Sequence, residues 1–303
     1  MIPLLTLDVH EALRTGARDG AATVECSLDL GRSLTQVEVN DTGWVWEGRR
    51  FPYLQACKDR TIYYWDGEAF QPVSRYTTSL IKLVPTEWGA PTFEIDGIKM
   101  LPTAKVSPYA DAERKVNLIQ PRGKRILDTC GGLGYFAAWC LRGQASQVLS
   151  FEKNADVIWL RSLNPWSPEG GPVSGPVNGQ GNGQGNRPGN EPGNGPAPSS
   201  GPRSAVTLIQ GDITGQIASQ PSASFDAILH DPPRFGIAGE LYSQVFYEQL
   251  ARVLRRKGKL FHYTGAPNKL TTGRDVPGEV ANRLQRAGFT TQLNGDGVLA
   301  VKK

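Results

Sequence analysis

The stretch KRILDTCGGLGYFAAWCLRG, residues 124–143, decides the fold class of this chain. Its first seven residues, 124–130, predict a buried strand, and GYFAAWCLRG predicts a helix. Closely spaced glycines between a strand and a helix allow a tight turn and let the backbone approach a ligand. The stretch is therefore typical of the first strand–turn–helix unit of an α/β sheet.

The alternation of strand and helix continues along the chain. Four further strands are predicted over 147–153, 206–212, 225–231 and 258–265, with helices between them. One long helix is predicted through ELYSQVFYEQLARVLRR, and FTTQLNGDGVLAVKK predicts two strands around a Gly-Asp-Gly turn. We therefore predict an α/β fold over residues 106–303, a doubly wound, mostly parallel sheet with an antiparallel C-terminal hairpin.

The first 105 residues show a different pattern. LDVHEALRTGA predicts one amphipathic helix capped by Asp8, and TVECSLDL and TQVEVN predict short strands. Asp-Gly between the aromatic-rich runs of YYWDGEAF predicts a hairpin. Trp44, Trp46 and Trp65 could stack on bases, but we favour a role in a small core, where aromatic strand residues are more often found. The sequence thus predicts a β-rich module over 1–105.

A tract rich in glycine, proline and asparagine, residues 167–204, interrupts the α/β pattern. It offers almost nothing apolar to bury, so ordering it would cost backbone entropy without return. We predict a disordered insertion between the second helix and the third strand of the α/β domain, and we expect its deletion to leave folding nearly intact.

Composition and cysteine spacing disfavour a metal-binding protein, a secreted protein and a membrane protein. A net charge of +4 permits a polyanionic partner without requiring one. Cys26, Cys57, Cys130 and Cys140 form no C-x-x-C pair, which disfavours a metal site and favours reduced thiols in a cytoplasmic protein. The opening residues lack the pattern of a secretory signal and no apolar run is long enough to span a membrane, so no membrane partner is expected.

Acidic residues and glycines follow the ends of four successive predicted strands. They are Asp128, Gly131, Gly132, Gly134, Glu152, Asp212 and Asp231. In open α/β sheets ligands bind at this edge, and an acidic residue after the second strand can bind a ribose diol. Asp212 alone could be a helix cap and Glu152 a solvated charge, but together these residues predict a nucleoside site.

Asp128 narrows the choice of ligand. A carboxylate directly before the glycines would repel a pyrophosphate, which disfavours a dinucleotide. It suits a ligand that carries a cationic group and no phosphate. S-adenosylmethionine fits this description, with its ribose at Glu152, its adenine at Asp212 and its positive methionine end near Asp128.

The motifs LDTCGGLGY, FEKN, QGD and HDPPRF, in this order, resemble those of class I S-adenosylmethionine-dependent methyltransferases. LNPWS, LFHYTG and HDPPRFGIAGELYSQVFYEQLARVL, with SLDLG and IDGIKM nearer the N-terminus, resemble a family of predicted methyltransferases widespread in archaea. The resemblance covers most of the chain except 167–204. It implies a Rossmann-like methyltransferase fold with S-adenosylmethionine bound by Asp128, Gly131, Gly132, Gly134, Glu152 and Asp212.

The loop HDPPRF is predicted to hold the acceptor beside the donor methyl group. Two prolines remove backbone N–H donors and fix φ, so their carbonyls are rigid acceptors beside the carboxylate. In amino-methyltransferases a similar loop orients the target amine. The predicted catalytic residues are His230, Asp231, Pro232, Pro233 and Arg234.

Arg234 leaves the identity of the acceptor open, because it stands where enzymes that methylate an adenine nitrogen carry an aromatic residue. It could bind a substrate phosphate or carboxylate, stack on a base, or pair with Glu240. Pyrimidine carbon-5 methylation needs a cysteine nucleophile, and none follows Cys140. His262, like His230, is either a proton acceptor or a buried hydrogen-bonded ring, and Lys115 is expected to be a solvated helix lysine.

We therefore expect a methyltransferase for a nitrogen acceptor, with a nucleobase in RNA as the favoured substrate. One alternative is an aminopropyltransferase that uses decarboxylated S-adenosylmethionine. CGGLGY lacks the aspartate typical of its glycine-rich turn, which argues against it. The other alternative is a non-catalytic RNA-binding or cofactor-binding partner of another methyltransferase, against which the intact Asp231-Pro232-Pro233 loop argues.

Overall fold

The computed structural model describes residues 2–169, 172–173, 205–265 and 275–303. Most of the predicted insertion, 170–171 and 174–204, lies outside these residues. The chain divides into two compact units. The first comprises Met1–Asn117, Gly131–Trp139 and Asn154–Gly171, and the second Leu118–Cys130, Cys140–Lys153 and Pro172–Lys303.

Short antiparallel strands dominate the first unit. They are β1 (Leu4–Leu5), β2 (Thr23–Cys26), β3 (Thr35–Asn40), β4 (Gly43–Trp46), β5 (Arg49–Phe51), β6 (Tyr63–Trp65), β7 (Phe70–Pro72), β8 (Ser74–Tyr76), β9 (Leu80–Val84), β10 (Thr92–Ile95) and β11 (Ile98–Lys99). Among the described residues they form three sheets, ordered β1-β6-β7, β2-β3-β4-β5 and β11-β10-β9-β8. The predicted hairpin is confirmed, since β6 pairs antiparallel with β7.

In the part of the first unit that the structure describes, four α-helices begin. They are α1 (Leu7–Arg18), α2 (Pro108–Ile119), α3 (Tyr135–Arg142) and α4 (Ala155–Leu163). The prediction that Asp8 caps α1 is wrong, because Thr6 is the N-cap and its hydroxyl accepts the N–H of Val9. Asp8 lies in the first turn, where a carboxylate interacts favourably with the helix dipole.

Aromatic side chains fill the core of the first unit, as predicted for Trp44 and Trp46. Trp44 is fully buried and stacks on Phe51, with ring centroids 4.4 Å apart, and on Phe70 at 5.9 Å. Trp46 is buried and donates from Nε1 to Thr35. Stacking of Trp44 and Trp46 on bases is thereby excluded, because neither ring has a free face.

The second unit is built on a mostly parallel sheet. Its strands are β12 (Arg125–Asp128), β13 (Gln147–Glu152), β14 (Pro172–Val173), β15 (Ala205–Gln210), β16 (Phe225–His230), β17 (Leu254–Tyr263), β18 (Phe289–Asn294) and β19 (Gly297–Lys302). Within the described residues their order is β14-β15-β13-β12-β16-β17-β19-β18. In this sheet order, each strand from β14 to β16 is parallel to the strand that comes next. The strand β19 runs antiparallel to both β17 and β18. The predicted α/β fold with an antiparallel C-terminal hairpin is confirmed.

Within the described residues, three α-helices belong to the second unit. They are α5 (Ile213–Gln216), α6 (Gln244–Val253) and α7 (Val276–Arg286). The predicted long helix over 240–256 is wrong at both ends. A 3-10 turn covers Gly239–Tyr242, after which the Ser243 hydroxyl caps α6 by accepting from Phe246. Leu254 already belongs to β17, where it pairs with Phe225.

All four cysteines are free thiols, and Cys26 and Cys140 are buried. Burial raises the pKa of Cys26 to about 11, so this thiol stays protonated at neutral pH. No group of three or more potential metal-binding side chains occurs in the described parts of the chain. Among the helices of these same residues, none has the length and apolar composition needed to cross a bilayer.

Two buried histidines link the carboxyl ends of β16 and β17. His230 and His262 are paired in register, and neither ring is exposed. His230 Nδ1 accepts from the Thr129 hydroxyl at 2.7 Å and Nε2 donates to the Leu241 carbonyl at 3.1 Å. His262 has the opposite tautomer. Its Nδ1 donates to the Tyr263 carbonyl at 2.8 Å and its Nε2 accepts from Tyr247 at 2.8 Å.

These hydrogen bonds set the tautomer of each ring, and burial keeps both rings in the neutral form. Burial lowers the pKa of His230 to about 4. Burial and the neighbouring His230 also lower the pKa of His262 well below its ordinary value. Both rings therefore act as uncharged structural links at neutral pH.

Replacing Trp44 with alanine should destabilise the chain strongly. Loss of a fully buried indole removes the stacking on Phe51 and leaves a cavity, at a cost of about 3–5 kcal/mol. Urea denaturation followed by circular dichroism measures the change. Trp88→Ala, at a ring that is 42% exposed, is the matched control and should cost about 1 kcal/mol or less. Equal losses in the two variants would contradict the assignment of Trp44 to the core.

Lowering the pH from 7.5 to 5.0 should destabilise the chain through His230. The unfolded ring takes up a proton near pH 6.5 and the folded ring only near pH 4. The contribution to stability is therefore complete above pH 6.5 and is lost as the pH falls towards 4, by about 2 kcal/mol at pH 5.0.

Urea titrations at several pH values measure the slope of the unfolding free energy against pH. His230→Asn should reduce the dependence of the unfolding free energy on pH and leave the share that His262 contributes, whereas His10→Gln, at a half-buried ring outside the pair, should retain most of the dependence. An unchanged slope in His230→Asn would show that the ring is not held neutral.

Candidate functional site

Four adjacent parallel strands of the second unit carry acidic residues at their carboxyl ends. Asp128 ends β12 and Glu152 ends β13, while Asp212 and Asp231 follow β15 and β16. These strands are neighbours in the order β15-β13-β12-β16. The structure therefore brings all four residues to one edge of the sheet, where open α/β sheets bind ligands.

Asp128 is the most enclosed of these residues. Its side chain is fully buried, and its Oδ2 accepts from the Ser150 hydroxyl at 2.8 Å. Ser150 is the register partner of Asp128 on β13, so strand pairing itself sets this contact. Ser150 was not singled out from the sequence, since a serine inside a strand carries no motif of its own.

The Cys130 thiol lies within electrostatic range of three of these carboxylates. Its pKa is raised well above the ordinary value, first by burial and then by the negative charges of Glu152, Asp128 and Asp231. Three carboxylates from three strand ends thus act on one sulfur atom. The thiol stays protonated and is a poor nucleophile, which also disfavours carbon-5 chemistry at Cys130.

Asp212 caps the helix that follows its strand, as the simpler sequence interpretation allowed. Its Oδ1 accepts from the backbone and hydroxyl of Thr214 at 2.9 and 2.7 Å, and its Oδ2 pairs with Lys153 at 2.8 Å. Burial alone would raise the pKa of Asp212, but the hydrogen bonds from Lys153 and Thr214 outweigh it and lower the pKa. The ion pair is exposed on both sides, so a ligand can compete for it.

The loop after β16 is supported by Tyr242, a residue that no motif in the sequence singled out. The Tyr242 hydroxyl donates to the Pro233 carbonyl at 3.0 Å, and the Phe235 ring meets the Tyr242 ring edge-on at 5.4 Å. Burial and the nearby charge of Asp231 raise the pKa of Tyr242. The phenol therefore remains a hydrogen-bond donor, and one lone pair of the Pro233 carbonyl is already used.

Arg234 and His230 differ sharply in exposure. Both nitrogens of the buried His230 ring are engaged, which gives the ring a structural part beneath the loop. Arg234 is exposed, and in the part of the chain that the structure describes its guanidinium forms no ion pair with Glu240. The proposed structural explanation of Arg234 is therefore wrong.

In the first unit, the glycine turn has the conformation that its sequence requires. Gly132 and Gly134 have φ values of 49° and 81°, and the Gly134 N–H donates to the Gly131 carbonyl at 2.8 Å. A Cβ on Gly134 would lie 2.6 Å from the guanidinium carbon of Arg161. Gly134 is thus required both by its left-handed backbone and by this close approach.

Two residues of the LNPWS motif, 163–167, donate hydrogen bonds to Leu133 in this turn and to Tyr135 directly after it. Asn164 donates to the Tyr135 hydroxyl at 3.1 Å, and that hydroxyl donates to the Pro91 carbonyl at 2.7 Å. Ser167 donates to the Leu133 carbonyl at 2.7 Å. The motif therefore has a structural part in the first unit.

Lys115, also in the first unit, was expected from the sequence to be a solvated helix lysine, and this expectation is wrong. It is not solvated, since its side chain is 2% exposed. Its Nζ pairs with Asp111 one helical turn earlier at 2.8 Å and lies 5.7 Å from the centre of the Phe136 ring. Helical spacing placed the carboxylate beside the lysine, but the enclosure comes from packing that the sequence does not reveal.

Known proteins were compared with this chain at the level of sequence and of fold. No protein-family model matches the chain. A crystal structure of spermidine synthase in complex with the transition-state analogue AdoDATO has a TM-score of 0.51 at 15% identity, over 76% of this chain and 73% of the synthase. An S-adenosylmethionine-dependent methyltransferase from Mesorhizobium loti has a TM-score of 0.39 at 15% identity, over 63% of this chain and 95% of that one. At this identity, the likeness to the synthase concerns the fold alone.

A curated relative is much closer in sequence. The uncharacterized protein MJ1233 of Methanocaldococcus jannaschii is 36% identical over 252 residues, which cover 81% of this chain and 75% of the relative. Identity of this extent, over so much of both chains, is shared by members of one family. The chain belongs to the family of MJ1233.

Proposed function

We propose that this chain is an S-adenosylmethionine-dependent methyltransferase that acts on a nitrogen acceptor. The observation that carries the proposal is the placement of Asp128, Glu152, Asp212 and Asp231 at the carboxyl ends of four adjacent parallel strands. Negative charges at one edge of the sheet attract a cationic ligand. S-adenosylmethionine carries both a sulfonium and an ammonium group, so the residues present fit it.

The remaining cofactor contacts follow from the strand ends. Glu152 would bind the ribose hydroxyls, and Asp128 would face the positive methionine end. Asp212 would accept from the adenine amino group by exchanging its exposed ion pair with Lys153, which costs little. Gly131, Gly132 and Gly134 continue the chain from Asp128 and would present backbone rather than side chains to the ligand.

The loop after β16 would position the target nitrogen of the acceptor relative to the donor methyl group. When bound, S-adenosylmethionine would supply a sulfonium methyl group to the nitrogen lone pair, with the C–S bonding electrons retained by sulfur and the proton of the nitrogen released to water. Asp231 and the Pro232 carbonyl would accept hydrogen bonds from the target N–H groups and aim the lone pair. Tyr242 fixes the Pro233 carbonyl, and His230 supports the loop from beneath as a positioning residue.

The favoured acceptor is a nucleobase in RNA. Support comes from the net charge of +4 and from the exposed Arg234 beside Asp231. The four free thiols support a cytoplasmic location, because a reducing compartment maintains that state.

An aminopropyltransferase is the second candidate. The fold likeness to spermidine synthase favours it, and grouped carboxylates would also suit a cationic amine acceptor. The chain would then use decarboxylated S-adenosylmethionine and transfer its aminopropyl group in place of the methyl group.

Calorimetry with S-adenosylmethionine tests the cofactor assignment. Glu152→Gln should weaken binding about 10-fold to 100-fold, because a charged hydrogen-bond acceptor to the ribose is lost. Glu279→Gln removes the same charge from an exposed position on α7 and should leave the affinity unchanged. Absence of binding by the wild-type chain, or equal affinities for all three proteins, would exclude the proposal.

Transfer of a labelled methyl group tests the reaction. RNA extracted from cells that lack this chain should accept tritium from methyl-labelled S-adenosylmethionine. Asp231→Ala should lower the rate at least 100-fold while binding the cofactor within about threefold, since Asp231 is assigned to the acceptor.

A parallel reaction compares the two candidate activities. Decarboxylated S-adenosylmethionine with 1,4-diaminobutane is offered to the same wild-type chain. Formation of spermidine without any transfer to RNA would favour the aminopropyltransferase and overturn the methyltransferase.

A further inference from the structure

The loop from Pro233 to Ile237 combines a fixed backbone with exposed side chains. The Pro233 carbonyl is held by Tyr242, and the Arg234 carbonyl accepts from the N–H groups of Ile237 and Ala238 at 2.8 and 3.2 Å. Yet Phe235 is 38% exposed and Ile237 59% exposed, and Arg234 is exposed as well. A loop that needed these side chains for folding would bury them.

The exposed groups have complementary chemistry. Arg234 is a permanent cation whose planar group binds phosphate through two hydrogen bonds, and it has no ion pair with a carboxylate among the described residues. Phe235, next in the chain, rests edge-on against Tyr242 at 5.4 Å. An exposed aromatic ring beside a free arginine is the combination that binds a base together with its phosphate.

The position of this pair relates it to the proposed reaction. Arg234 lies three residues after Asp231, on the loop assigned to the acceptor. A carboxylate that accepts from N–H groups and a nearby guanidinium suit a molecule with an amine at one end and an anion at the other. A carboxylate-bearing acceptor would engage Arg234 but would have no use for the Phe235 ring.

We propose that Arg234 and Phe235 select the acceptor by binding a nucleotide, with Arg234 on its phosphate and Phe235 against a base. This inference rests on the proposed methyltransferase function and names its substrate class. The two residues determine specificity, and Asp231 is left to orient the reacting nitrogen.

Fluorescence anisotropy with a fluorescein-labelled, mixed-sequence 20-nucleotide RNA tests the proposal, using the full chain saturated with S-adenosylhomocysteine. Arg234→Gln should weaken binding at least 10-fold and reduce the slope of log affinity against log salt by about 0.7, since one phosphate contact is lost. Arg234→Lys should retain the slope and only part of the affinity, because a point charge replaces the planar group. Phe235→Ala should weaken binding about 10-fold without changing the slope.

Arg256→Gln is the matched control. Arg256 is exposed in β17, near the strand end opposite His262, so this variant removes the same charge from the same unit at the other edge of the sheet. It should change the affinity less than twofold. Equal losses in Arg234→Gln and Arg256→Gln would show a general effect of charge and overturn the proposal.

Competition distinguishes two sources of the nucleotide. Unlabelled nucleoside monophosphates should displace the RNA fully at millimolar concentration if a free nucleotide is the acceptor, and only weakly if a polynucleotide is. Displacement by glutamate and not by monophosphates would indicate a carboxylate acceptor and overturn the proposal.

Cofactor binding separates failure of this inference from failure of the proposed function. Calorimetry on the same proteins should give equal affinities for S-adenosylmethionine in the wild type and in Arg234→Gln. A wild-type chain that binds the cofactor but neither RNA nor monophosphates would overturn the nucleotide inference alone. A chain that does not bind the cofactor would overturn both.

Discussion

Parallel pairing of β15, β13, β12 and β16 is the constraint on which the candidate site depends. Parallel strands run in one direction, so their carboxyl ends meet at one edge of the sheet. This pairing brings Asp128, Glu152 and Asp231 within electrostatic range of a single thiol. Their negative charges make this edge of the sheet electrostatically suited to a positively charged group.

A layer of uncharged polar groups supports the loop that follows β16. His230 and His262 are held neutral with opposite tautomers, and Tyr242 and Tyr247 keep their phenolic protons because burial raises both pKa values. Satisfied hydrogen bonds in a buried region are directional and costly to break, so they fix the backbone above them. The loop can then expose Arg234 and Phe235 without losing its shape.

Much of the fold could be predicted because its signals are local. The strands of the large sheet are short apolar runs bounded by turn residues, and the glycine turn requires residues that tolerate a positive φ. The predictions of the end of α6 and of the exposure of Lys115 were wrong because contacts with residues distant in sequence determine both features. Pairing of Leu254 with Phe225 ended a helix that the periodicity would have continued, and packing buried Lys115 although its helical position suggested exposure.

The sequence by itself determined the alternation of strands and helices, the glycine turn and the acidic residues at the strand ends. Each of these depends on residue type and spacing within a few positions. Only the tertiary structure decided that Ser150 orients Asp128, that Tyr242 holds the Pro233 carbonyl and that both rings beneath the loop are neutral. Hydrogen-bond partners and desolvation depend on groups far apart in the chain, and no local pattern encodes which of them will meet.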